Sequence, residues 1–179
     1  MKKILTLTLI LLLLLSMAAC GSKEKADTPE AAMQRLVAVM NGDYTNLKGL
    51  APQKFWTWEQ NNNLDYEEYW KEFNETYRSG ALGQYGMDAK FSITIHSTVM
   101  LERTDSRFEK VTSFMNKIYS ITEAEVEAVC YMDGTNYING SKKSNSYNHT
   151  YVAVQIGGQW YPMDGDGQDF YIGFVGSLT

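Results

Sequence analysis

Across the glycine-rich stretch Gly80 to Gly86 the apolar residues change period, from three-and-four upstream to mainly two downstream. That switch limits the chain to folds that segregate helices from strands. Upstream, Thr28-Pro29 offers a capping hydroxyl and then a proline whose missing N–H costs nothing in a first helical turn; Met33, Leu36, Val37 and Met40 follow at helical spacing, and Asn41-Gly42 ends the run. A short helix is predicted from about Asp43 to Leu50, with Leu47 and Leu50 inward and Pro52 blocking its continuation. Another brief turn is predicted around Phe55, Trp56 and Trp58. Asp65 with Glu68 then makes a capping-box-like start to a helix that closes at Gly80. Its stripe of Tyr66, Tyr69, Trp70, Phe73 and Tyr77 would take several rings out of water, each worth about 1.5–3 kcal/mol. Core packing is one reading of the stripe, and the wall of an apolar pocket is the functional one.

Downstream, Phe91, Ile93 and Ile95 alternate with Ser92, Thr94 and His96 as a strand. Ser106 with Glu109 restarts a helix bearing Phe108, Val111, Phe114, Met115 and Ile118. An alternating strand from Glu123 to Met132, a polar stretch from Asp133 to Tyr147 and a second strand through Thr150, Val152, Val154 and Ile156 predict a hairpin with a long mobile tip. Gly157-Gly158 turns the chain into Gln159, Trp160, Tyr161 and Pro162. The order predicts an α+β fold: N-terminal helices over one face of a mainly antiparallel, curved sheet of about four strands.

The first 19 residues divide as an export signal does: Lys2 and Lys3, an apolar run from Ile4 to Leu15, then small residues before Cys20. The apolar run, roughly a dozen residues, is too short to span a bilayer permanently. Met17-Ala18-Ala19-Cys20 resembles the bacterial lipobox, which implies a diacylglycerol on Cys20, cleavage before it, and a membrane partner held through that lipid. An ordinary secretory signal cut after Ala19 is the alternative. Three segments result: a signal peptide over 1–19, a flexible tether over 20–27 and a single α+β domain over 28–179. Loss of the leader removes two of the 16 basic residues against 21 acidic ones, so the charge moves from −5 to −7. Nucleic acid is an unfavourable partner for such a surface.

With Cys20 lipidated, Cys130 has no disulfide partner in its own chain, and its place among Ala124, Val126 and Ala128 marks it as a small buried hydrophobe. His96, Cys130 and His149 could suit a metal or a thiol nucleophile only if they faced one side; the alternation sets the thiol opposite both imidazoles. Asp164-Gly165-Asp166-Gly167-Gln168-Asp169 has alternate acidic residues, yet Asp169 and Val175 stand where a calcium loop needs glycine and glutamate, so it reads as a solvated turn. No cofactor motif and no metal set emerges.

The opening Thr28-Pro29-Glu30-Ala31-Ala32 through Asn41-Gly42-Asp43-Tyr44 and the closing hairpin Val154-Gln155-Ile156-Gly157-Gly158-Gln159-Trp160-Tyr161 resemble the cystatin-like or nuclear-transport-factor-two-like lipoproteins of bacterial envelopes. The resemblance spans roughly Thr28 to Met163. The resemblance implies one enzymatic alternative, a small ketosteroid-isomerase-like enzyme using an aspartate base with tyrosine. A strong anchor with no catalytic motif points instead to an extracytoplasmic, lipid-anchored binding or adaptor domain at the cell membrane, facing an envelope protein or an apolar small molecule, and a structural envelope subunit is a further alternative.

Overall fold

Thr28 caps the first helix as its sequence requires. In the computed structural model, which describes residues 25–62, 66–165, 167 and 170, its Oγ1 accepts from Ala31 N at 3.1 Å and α1 runs Pro29–Met40. Ala32, Met33, Leu36, Val39 and Met40 form its buried face. A 3-10 helix over Tyr44–Leu50 follows, capped by Asp43, and α2 spans Gln53–Asn61. The long helix α3 covers Tyr66–Tyr85. Its proposed cap, Asp65, lies outside the described residues. Gly80 does not end it: the helix continues through Gly80 and Gly83, and the stop is Gly86, whose φ of +121° suits a residue without Cβ.

Four strands make one antiparallel sheet in the order β1-β2-β3-β4: β1 Lys90–Met100, β2 Val126–Asn139, β3 Ser144–Ile156 and β4 Gln159–Met163. Between β1 and β2 lies α4, Ser106–Tyr119, whose cap is Asp105 rather than Ser106; Asp105 Oδ1 accepts from Arg107 N at 2.8 Å. Glu123–Glu125 forms a 3-10 turn, so β2 begins later than its alternation suggests.

The predicted long mobile tip is absent, because β2 and β3 pair from Val126↔Ile156 all the way to Asn139↔Ser144. The short remaining turn is seated on the end of α3. Lys142 N donates to Tyr85 O at 2.8 Å, Ser141 N donates to Asp88 Oδ1 at 2.9 Å, and Lys143 Nζ stands 4.6 Å from the Tyr85 ring centroid. Polar composition marked a loop here, yet the segment is a strand pair with polar side chains.

Helices cover both faces of the sheet, where the sequence had predicted one. On the first face α1 crosses the strands, and Thr98, opposite Met132, donates to Glu30 Oε1 at 3.0 Å. On the second, α4 packs near the start of β2. Arg107 stands over the Tyr131 ring at 5.0 Å, and a Cβ on Gly167 would come within 2.6 Å of Val111 and 3.7 Å of both Tyr131 and Val152. Tyr151, Val152, Ala153 and Val154 are therefore all buried in succession. Below the second face, Phe55 is the hub of an aromatic cluster with Trp56 at 5.0 Å, Tyr119 at 5.3 Å and Phe170 at 5.4 Å.

One polar side chain does the work of a strand at the sheet edge. Asn41 Nδ2 donates to Phe91 O at 2.9 Å and Phe91 N donates to Asn41 Oδ1 at 3.0 Å, as a neighbouring backbone amide would. The helix end and the strand start are thereby locked together.

Candidate functional site

Beyond α4 no described helix covers the second face, and there the side chains turn from apolar to hydroxyl, amide, carboxylate and imidazole. Strand register brings them into rows. Ser92, Tyr137 and Ser146 stand side by side; next come Thr94, Thr135 and Asn148; then Ser97, Asp133 and Thr150. A bulge between Ile95 and Ser97 inserts His96 beside the last two rows.

Hydrogen bonds run along the last two rows. Ser97 Oγ donates to Asp133 Oδ2 at 3.1 Å and Thr150 Oγ1 donates to Asp133 Oδ1 at 2.9 Å. Thr135 Oγ1 gives its one hydrogen to Asn148 Oδ1 at 2.8 Å. Its 2.8 Å contact with His96 Nε2 therefore has the imidazole donating, which leaves the lone pair of the neutral ring on Nδ1. Asn148 Nδ2, His96 Nδ1 and the spare lone pairs of Asp133 remain for a ligand.

An open cleft of about 580 Å³ lies here, lined by His96, Asp133, Gly134, Asn148, His149 and Thr150. Gly134, also on its lining, has no room for a side chain on the opposite face. A Cβ there would lie 2.7 Å from Thr94 O and 3.2 Å from Ile95 Cδ1, so no side chain fits.

Both histidines border the cleft, yet by strand register their side chains belong to opposite faces, against the sequence expectation. Thr150 shares a face with Asp133, so His149 turns with Tyr151 to the face that carries Cys130; the His149 and Tyr151 rings sit 4.7 Å apart. The alternation of Val152 and Val154 misled because both faces of β3 are buried. Burial pushes the His149 pKa down, partly opposed by Asp164. Tyr151 Oη, on the same side, donates to Asn136 Oδ1. Cys130 is fully buried, as predicted, and burial pushes its thiol up to about 11. Among the described residues no group of three or more His, Cys, Asp or Glu side chains could hold a metal ion, and no helix is long and apolar enough to cross a membrane.

In the aromatic stripe of α3 the rings pack on one another mainly edge-on or at a tilt. Trp70, Phe73 and Tyr77 are half-buried against the core, Phe73 lies 4.6 Å from Tyr77 and 5.4 Å from Trp70, and Tyr69 is exposed. The Tyr66 side chain lies outside the described residues, as does Cys20. Tyr69, Trp70, Phe73 and Tyr77 do not line the polar cleft.

No family model, curated protein or solved structure matches the chain. Sequence reasoning missed Asp133, Thr135, Asn148 and Thr150 because two of them sit in, and two beside, a segment read as loop. The available signal was the period of two in Asp133, Thr135 and Tyr137 and again in Ser146, Asn148 and Thr150.

Proposed function

We propose that this is an exported, lipid-anchored binding domain that holds a hydroxyl-rich ligand of the glycan class on the open face of its sheet. The observation that carries the reading is the cleft of His96, Asp133, Asn148 and Thr150, a hydrogen-bonded polar grid that none of the described helices covers. Paired sugar hydroxyls donate and accept at once, which suits an amide, a carboxylate and an imidazole held at fixed spacing. Tyr137, one row further along the same face, adds a ring against which a sugar can lie. An apolar ligand would leave these groups without partners and lose affinity. The enzymatic alternative needs an aspartate base beside tyrosine in an apolar hollow, whereas Asp133 stands in an open polar cleft with each oxygen accepting from a hydroxyl.

The finer likeness to cystatin-like or nuclear-transport-factor-two-like domains belongs to the same proposal. It is supported by an opening helix laid across long antiparallel strands, with bulges at Ile95/Ser97 and Val126/Ala128 that bend the sheet. The anchor rests on Met17-Ala18-Ala19-Cys20 and on the short apolar leader before it.

Asn148→Ala removes an exposed amide and is expected to leave folding unchanged while weakening binding of soluble cell-wall glycan fragments about tenfold, the worth of one good hydrogen bond. Titration calorimetry on both proteins checks it; equal affinities would move the site elsewhere. Cys20→Ala is expected to abolish fatty-acid labelling and release the protein from the membrane fraction. Undiminished labelling of that variant would remove the anchor.

A further inference from the structure

Ala26 is 2% exposed, and its carbonyl accepts from Trp160 N at 2.8 Å, so the chain enters the domain pinned beside β4. Six residue steps separate it from Cys20, a reach of at most about 21 Å however the segment is arranged. Resting on the lipid-anchor reading above, we propose that the end of the domain around Lys25, Lys54 and the Gly157-Gly158 turn is its membrane-facing surface, seated on phospholipid headgroups.

The strands give this surface a direction. From Ile156, next to the turn, β3 runs twelve residue steps to Ser144, about 40 Å at 3.3 Å per step, and His149 lies about 23 Å along that line. The polar cleft is thus carried outward, clear of the headgroups. A polymer of the envelope can reach it from the outer side, and a membrane lipid cannot.

At the proximal end a second cleft of about 370 Å³ is lined by Lys25, Pro52, Lys54, Ile121, Ile156 and Tyr161, among others. Its charges are mixed. Lys54 Nζ bonds Glu125 at 2.8 Å and Ser120 O at 2.8 Å, and Glu127 accepts from Gly158 N at 3.1 Å. No basic excess attracts an anionic bilayer, so the short tether sets the orientation and salt should leave it unchanged.

The test uses the lipidated full chain in phosphatidylcholine vesicles carrying a headgroup nitroxide quencher. A fluorophore is placed at Gln53→Cys, on the proximal cleft, or at Ser141→Cys, on the hairpin turn; both positions are exposed. Cys130 does not compete for label, being fully buried. Quenching is expected to be several-fold stronger at position 53 than at 141, at low and high salt and with or without phosphatidylglycerol. Equal quenching, or stronger quenching at 141, in vesicle-bound protein overturns the orientation and leaves the anchor standing. Protein that stays off the vesicles and shows no added lipid mass on Cys20 overturns both.

Discussion

Phe55→Ala is expected to lower the free energy of unfolding by about 4 kcal/mol, within the range for removing a buried phenyl ring. Phe55 is 2% exposed and touches three other rings, from α2, the end of α4 and the segment after β4. Truncation would leave a hole whose walls are held by separate elements, so collapse around it is limited. At roughly 2–4 °C per kcal/mol for a chain of this size, the melting temperature should fall by about 8–16 °C. Urea unfolding of the two proteins measures it directly. A loss below about 1 kcal/mol would mean that the cluster is not part of the cooperative core.

Gly140→Ala is the second large effect, about 2 kcal/mol, and it acts by overlap rather than by a void. A Cβ at Gly140 would lie 2.3 Å from Tyr85 O and 2.8 Å from Tyr85 C, both backbone atoms that cannot swing aside. The hairpin turn would have to lift from α3, straining the Lys142 N to Tyr85 O bond and the Ser141 N to Asp88 bond. Gly83→Ala is the control of opposite sign. It sits inside α3 with nothing within 4 Å of its added Cβ, and it should stabilise by about 0.5–1 kcal/mol through helix propensity. Denaturant midpoints for both variants check the pair; two changes of the same sign would contradict the seated turn.

Caps and glycines show what a sequence can and cannot announce. Caps are local, and so Thr28-Pro29 and Asn41-Gly42 marked α1 correctly from the residues alone. Gly80 and Gly86 look alike in sequence, and only the backbone shows that one continues a helix while the other ends it at positive φ. Cys130 was legible because its neighbours alternate, whereas the outer half of β2 and β3 was not, since its polar side chains pair across strands instead of entering a core. The cleft depends on residues 96, 133 and 148 meeting through register and a bulge. No local pattern encodes that meeting. The aromatic stripe of α3 was visible as a stripe, and its rings pack edge-on or tilted against one another and against the core.

The central claim, that the polar grid is where a ligand sits, is tested most directly by mapping amide shifts of the isotope-labelled protein during titration with soluble cell-wall glycan fragments. Shifts concentrated at Ser97, Asp133, Thr135, Asn148 and Thr150, reached at about tenfold higher fragment concentration in Asn148→Ala, are the predicted result. Shifts along Tyr69, Trp70, Phe73 and Tyr77, or none at saturating fragment, would contradict it.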